Sequence, residues 1–568
     1  MEENIKRVKA KKVRAAKEKK PLGKWGRVGL SALVTALVGL VYFYFALPAI
    51  NLHDGDFYAF LLLLCVVYVA CALFLSGQGA VQRKDARAFF RFAKSHCAPV
   101  LVFFAVVVLV AVIGWLASLP LFRAGAYREL LTLRDGDFTA EISEVSYNEI
   151  PMLDEQSAEM LGDRKMGELS DLVSQFEVSD AYTQINYRGR PVRVTYLEYG
   201  DFFKWLGNRA QGLPAYITVD MVTQEASVVR LSEGMRYSPS ELFNRKLERH
   251  LRFQYPTWMF SQPTFEIDEQ GKPYWVCPKL EKTIGLFGGT DIHGAVLMDA
   301  VTGECEYHEE VPGWVDRVYL ADLIMEQYNY HGLYVNGFWN SIFGQRDVTV
   351  TTEGYNYIAL NDDVYMYTGV TSITGDQSNV GFLLSNQRTK ETAYYRAPGA
   401  VERSAMNSAQ GVVQDLGYTA TWPHLLNIAG EPTNFISLKD ANQLVKLYAM
   451  VNVAQYQVVA TGQSVAQCEE NYLELLGRQG ITQAPPPEEK PLAQTSGTIV
   501  DIRTAVIDGN SVYYLKLDEK SVTYTISVAD QPDVVTLNVG DRVTISFEPS
   551  VLDHVSLLKA YRVEVFDL

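Results

Sequence analysis

Cysteine is scarce, with six residues in a chain of 568. Cys65, Cys71 and Cys97 lie in or beside long apolar runs, and Cys277, Cys305 and Cys468 lie in the body. An odd number in the body excludes a full disulfide framework. Cys277 and Cys305 could still pair if their strands are neighbours; otherwise they are small buried hydrophobes. Basic charge is missing from the body too. Met1–Val28 holds eleven Lys/Arg against three Glu, and Gly29–Pro120 sums to +2. The whole chain carries −15, so everything after Pro120 carries −25. That excludes the basic footprint of a nucleic-acid binder. Catalytic signatures are lacking: there is no HExxH helix, no Walker loop and no Gly-x-Ser-x-Gly elbow. Ionisable residues are absent from the interior of the apolar runs, where a carrier would need them.

Three of those runs reach spanning length: 28–47, 57–77 and 98–121. About 20 apolar residues cross a bilayer core as a helix. Tyr42, Phe43, Tyr44, Phe45 and Trp115 sit near their ends, as interfacial aromatics do. The tail 1–27 and the loop Gln82–His96 are basic, whereas the first loop carries Asp54 and Asp56 and no Lys or Arg. The positive-inside rule then puts the N-terminus in the cytoplasm and residues after 121 outside, in the plasma membrane of a multipass protein. The basic tail serves topology and lipid headgroups rather than nucleic acid.

The region 122–478 reads as α+β and repeats itself. Asp220-Met-Val-Thr223-Gln-Glu225, Asp299-Ala-Val-Thr302-Gly-Glu304 and Asn386-Gln-Arg-Thr389-Lys-Glu391 each follow an apolar strand and precede another. Asp or Asn opens such a hairpin turn by accepting from backbone amides just ahead. Gly189-Arg-Pro-Val, Gly271-Lys-Pro-Tyr and Gly354-Tyr-Asn-Tyr precede these turns by roughly thirty residues and read as further hairpin halves. The copies fall near 185–230, 266–310 and 353–396, with a looser fourth near 430–462 around Gly430-Glu-Pro. Helices are expected at Glu159–Phe176, from the capping box Ser238-Pro-Ser-Glu241 to Pro256, from Val315 to Gly332, and at Ser464–Leu476.

Gly271-Lys-Pro-Tyr leading to Asp299-Ala-Val-Thr-Gly-Glu resembles the PepSY module, a small α+β unit of bacterial envelope proteins. The first copy departs from that pattern at Gln224, the third at Asn386 and Lys390. The arrangement as a whole is similar to a family of uncharacterised bacterial multipass membrane proteins, over about 123–462. The resemblance implies an extracytoplasmic regulatory role, with envelope peptidases as candidate partners, and no catalytic residues.

Residues 479–495 include Ala484-Pro-Pro-Pro-Glu-Glu-Lys-Pro, an extended linker. In 496–568, four or five short strands and the turns Asp508-Gly509-Asn510 and Asn538-Val-Gly-Asp predict a small all-β barrel, OB-like or SH3-like.

No site residue is assigned: catalytic, cofactor-binding and metal positions are all blank, and no cofactor is implied. His308-Glu-Glu-Val lacks a second His. Asp291, His293 and Asp299 would mark a metal only if they converged. Gly285-Leu-Phe-Gly-Gly-Thr290 could cradle an anion but reads as a turn. Ser437-Leu-Lys439 resembles a Ser–Lys dyad superficially, and Asp362-Asp363 reads as an exposed acidic turn. The favoured function is a non-enzymatic, membrane-anchored protein whose aromatic-rich strands (33 Tyr in the chain) bind or regulate another envelope protein. Its partners are the bilayer and that protein. An envelope enzyme with a site between repeats, or a sensory ectodomain acting through Gln82–His96, are the alternatives.

Overall fold

The computed structural model describes residues 23–76, 93–142, 150–360, 362–373, 378–482, 493–507, 510–518, 520, 522–528, 531–547 and 557–565. Most of the basic tail and of the basic loop, the centre of the Pro-rich linker and the Asp508-Gly509 turn lie outside these residues. The chain divides into two compact units, Met1–Cys468 and Glu469–Leu568.

The first unit opens with helices α1 (Lys24–Ala46), α2 (Gly55–Ser76) and α3 (Ala98–Ala117). Three helices here are long and apolar enough to cross a membrane. The third stops short of Leu121. Leu119 is extended at ψ 136°, and Pro120 opens a separate helix, α4 (Pro120–Arg128). A residue before proline is pushed out of the helical region, while proline itself suits the first helical turn.

The rest of the unit is β-rich, with one seven-stranded and three five-stranded sheets among the described residues. Each sheet contains a four-stranded antiparallel meander. The first uses Thr183–Tyr187, Arg190–Tyr199, Leu213–Asp220 and Ala226–Met235. The second uses Thr264–Ile267, Pro273–Ile284, Gly288–Asp299 and Cys305–His308. The third uses Asn356–Leu360, Asp363–Ser372, Ser378–Asn386 and Thr392–Tyr395. The fourth uses His424–Ile428, Glu431–Lys439, Val445–Asn452 and Val459–Gly462.

The turn before each last strand has one chemistry. Asp220 Oδ1 accepts from the amides of Val222 and Thr223. Asp299 Oδ1 accepts from Val301 and Thr302, and Asn386 Oδ1 from Arg388 and Thr389. Asn452 Oδ1 accepts from Gln455. In the first three copies the turn then passes through a left-handed residue: Gln224 at φ 61°, Gly303 at 77° and Lys390 at 66°. Only Gly303 is also confined sterically, because a Cβ there would sit 2.3 Å from the Tyr237 ring.

The chain just ahead of each meander's helix is pinned to the residue after that Asp or Asn. Met152 N donates to Met221 O, Arg236 and Tyr237 N to Ala300 O, Val318 and Tyr319 N to Gln387 O, and Ala400 N to Val453 O. These anchors recur every 82–84 residues, at 152, 236, 318 and 400. The helices that follow are α5 (Glu155–Gly167), α6 (Leu247–Gln254), α7 (Ala321–Leu333) and α8 (Glu402–Val412).

Four local expectations change. The helix expected over Glu159–Phe176 runs from Glu155 to Gly167, and Phe176 opens the short strand Phe176–Val178. Gly354 does not occupy a hairpin turn; it precedes the strand Asn356–Leu360, and the position matching Gly189 is Asp362, left-handed at φ 70°. The Ser238 capping box does not open a helix. Glu241 is fully buried and accepts from Tyr199 Oη and Trp205 Nε1, both at 2.8 Å. Burial of that carboxylate among aromatics outweighs a cap of about 1 kcal/mol, and helix α6 starts at Leu247. Val315 and Val318 are core residues of a loop, so the next helix starts at Ala321.

Cys277 and Cys305 are free. The strand Gly288–Asp299 lies between theirs, pairing Val296 with Cys277 and Met298 with Cys305. The two thiols therefore sit on strands that are not neighbours.

In the second unit, strands Ala493–Ile507, Asn510–Leu517, Thr523–Ser527, Arg542–Phe547 and Leu557–Val565 close a barrel over Leu515, Ile526, Val543 and Ile545. Closure leaves no free sheet edge.

Candidate functional site

The positions weighed from sequence do not meet. Asp291 pairs with Lys390 at 2.7 Å and accepts from Gln327. His293 contacts Tyr307, and Asp299 pairs with Lys272 at the far end of the same strand. Among the described residues no His/Cys/Asp/Glu group could hold a metal. Ser437 Oγ donates to Met152 O, and Lys439 Nζ binds Asp154 at 2.5 Å, so each is committed elsewhere. Asp363 is gripped by Arg388 at 2.6–2.8 Å and by Asn386. His308 lies against Glu306 on one strand.

The Gly285–Thr290 turn has a different use. The amides of Leu286 and Phe287 both donate to Ser118 Oγ, each at 2.9 Å, just past the end of α3. Leu286 packs where Gly114 leaves room, since a Cβ on Gly114 would lie 2.3 Å from it. His53, in the loop after α1, donates from Nδ1 to Leu286 O. A second contact lies beside it. Arg249 Nε donates to Tyr44 O at 3.0 Å with its guanidinium 4.1 Å above the Tyr44 ring, and Arg252 Nε donates to Leu47 O at 2.9 Å. A helix C-terminus leaves carbonyls without intrahelical partners and carries partial negative charge, so these two arginines fit the end of α1. Burial pushes Arg252 below its ordinary pKa, and Asp54 opposes that. Together the second copy holds the ends of α1 and α3.

Exposed aromatics cluster near the same ends. Tyr127 Oη donates to Ser118 O, and from it runs a chain of rings: Tyr330, Tyr334 and Phe338, then Trp339 stacked on Phe343. Trp339 and Phe343 are exposed, as is Phe253, whose ring meets Phe43 of α1.

The four copies also touch in a closed circuit. Tyr216 Oη of the first donates to Gly271 O of the second. Arg317, after the second, donates to Tyr357 Oη of the third. Asn356 of the third donates to Trp422 O ahead of the fourth, and Gln224 of the first donates to Tyr448 Oη of the fourth. A cavity of about 650 Å³ lies where they meet. Arg193, Tyr196, Trp275, Arg317, Tyr357 and Trp422 line it, together with Asp154, Glu155, Asp180, Glu248 and Asp322.

Arg193 is 5% exposed, and its nearest carboxylate is that of the exposed Glu155 at 4.0 Å. Desolvation holds its pKa below the ordinary value, and the nearby Arg317 adds to that. Behind Arg317 lie two fully buried carboxyls. Glu266 accepts from the amides of Asp316 and Arg317, at 2.8 and 3.1 Å, and Asp316 accepts from Asn186 N at 2.6 Å. Desolvation pushes Glu266 up to about 7. Asp316 is raised as well, first by burial and then by Glu266.

None of this was visible in the sequence. Arg193 falls in an ordinary strand, and Glu266 and Asp316 are fifty residues apart. No protein-family model matches the chain, and comparison with curated proteins finds no match.

Proposed function

We propose that the chain is a non-enzymatic, membrane-anchored extracytoplasmic protein whose circuit of four repeats binds or regulates another cell-envelope protein. The observation that carries this reading is the seating of the second copy on the ends of α1 and α3 through Arg249, Arg252 and Ser118. The first loop and the body after α3 are held together at one end of the three helices. Alternate crossings require that arrangement of a three-span protein. The basic tail and second loop then belong to the cytoplasmic side by the positive-inside rule. Exposed Trp339, Phe343 and Phe253 near those helix ends suit an interfacial position.

The repeats' helix, meander and Asx turn support the PepSY resemblance, which makes an envelope peptidase the first partner to test. The barrel's closed order, with the third and last strands parallel and Pro532–Thr536 as a short helix between the third and fourth, supports an OB-like assignment. Photocrosslinkers placed at exposed repeat positions such as Glu391 and Arg403 in growing cells test the reading. The expected result is one recurrent adduct with an extracytoplasmic protein. Adducts with cytoplasmic proteins only, or none from any face, contradict it.

A further inference from the structure

The central cavity concentrates donors that the protein leaves unmet. Arg193 Nε, Arg317 Nε and Trp422 Nε1 are each buried, and none finds an acceptor among the described residues. All three side chains line the same space. Burying a guanidinium without a close counter-charge costs several kcal/mol. Arg193 meets only the exposed Glu155, at 4.0 Å, and the half-buried Arg317 beside it gives one N–H to Tyr357 Oη; their Nε donors facing one cavity point to an anion that enters from outside. A planar guanidinium matches a carboxylate through paired N–H donors, and an indole N–H adds a third contact.

The rim decides which anion. Asp154, Glu155, Asp180, Glu248 and Asp322 line the cavity too. A phosphate or polyanion would face that ring of like charge. A ligand with one carboxylate and a cationic group a few ångströms away meets the arginines with one end and the acids with the other. About 650 Å³ lies within the range of pockets that enclose drug-sized ligands. Tyr196, Trp275 and Tyr357 supply apolar faces for what lies between the two charges.

We propose that this cavity is a binding site for a short peptide, held by its C-terminal carboxylate on Arg193 and Arg317 with its amine or a basic side chain toward the acidic rim. The inference does not depend on the protein partner proposed above, because the cavity would fill whether or not the outer surface docks another chain.

The test uses the full-length protein in detergent and a tripeptide library with free C-termini, set against the same library C-terminally amidated. Retained peptides are read by mass spectrometry. Free acids should be retained and the amidated library should lose at least ~10-fold, as expected for loss of a charge-assisted contact. Arg317→Gln and Arg193→Gln should each lower retention of the free acids by a similar factor. Should Arg193→Gln fail to fold, the amidated library and Arg317→Gln still decide. Equal retention of both libraries, retention of neither, or saturable binding of inorganic phosphate in place of peptide would overturn the proposal.

Discussion

Replacing Arg249 and Arg252 together by alanine is expected to release the second copy from α1 and to destabilise the first unit strongly. Arg249 is 7% exposed and makes two hydrogen bonds to carbonyls, Tyr44 O at 3.0 Å and Phe243 O at 2.7 Å. It also lies over the Tyr44 ring. Arg252 bonds three carbonyls: Leu47, Tyr255 and Trp258. A hydrogen bond from a charged donor contributes about 1.5–3 kcal/mol, and a desolvated cation–π contact about 2 kcal/mol. Losing one contact of each kind at Arg249 alone thus costs on the order of 4 kcal/mol. The Tyr44 and Leu47 carbonyls at the end of α1 would lose these donors as well, which adds to the loss. Thermal unfolding of the purified protein in detergent measures it. Hydrogen exchange should rise first at the amides of α6 and of the segment just after α1. Arg249→Lys should recover only part of the loss, because an ammonium cannot reach both carbonyls in the fork geometry of a guanidinium. A double variant that melts with the parent, with unchanged exchange at α6, would show that the clamp contributes nothing.

The second large effect concerns pH. The Glu266 carboxyl is raised from 4.5 to about 7 by desolvation, with Asp316 raised beside it. An acid whose folded value lies above its unfolded value binds more protons when folded. Its contribution is therefore fully present below about pH 4.5 and is lost as pH rises through about 7. A shift of that size corresponds to roughly 3 kcal/mol as an upper bound. Glu266→Gln removes the titration. Glutamine keeps one acceptor where the carboxylate offers two amides an oxygen each, so the variant carries a constant penalty from the Asp316 or Arg317 amide. The expected result is a parent advantage over the variant that is largest near pH 5 and shrinks steadily to pH 8. Lys439 holds Asp154 low, and Lys272 holds Asp299 low, each against its own burial. Those pairs lose stability only below about pH 4, outside this window. A difference that is flat from pH 5 to 8 would refute the raised pair.

The sequence showed some layers of this structure and hid others for physical reasons. Long apolar helices and the β-rich body behind them declare themselves through composition alone. Asx turns are local, since the side chain bonds amides two and three residues on, so Asp220, Asp299 and Asn386 could be read in order. Asn452 opens the matching turn of the fourth copy, yet Thr and Glu do not follow it at the same offsets. A subtler signal was available. Arg190 faces Asp220 and Lys272 faces Asp299, whereas Asp363 faces Asn386 and Glu431 faces Asn452. Where the turn residue is an acid its partner is a base, and where it is an amide its partner is an acid. That swap marks all four copies. Arg193, Arg317, Glu266 and Asp316 were illegible because their burial comes from neighbouring copies. Arg193 and Glu266 sit in strands whose local pattern carries no mark of that burial, and Asp316 and Arg317 lie in the loop ahead of α7. The Ser238 box misled for the same reason, since only the tertiary fold brings Tyr199 and Trp205 to Glu241.

In the proposed topology the three apolar helices cross a membrane and hold the repeat circuit on its outer face. Single cysteines introduced at Glu391 in the third repeat and at Arg87 in the basic loop test it most directly. An impermeant maleimide is applied to intact cells and again after lysis, with the parent protein as the blank. Glu391→Cys should label before lysis and Arg87→Cys only afterwards. Labelling of Arg87→Cys in intact cells, with Glu391→Cys protected until lysis, would contradict it.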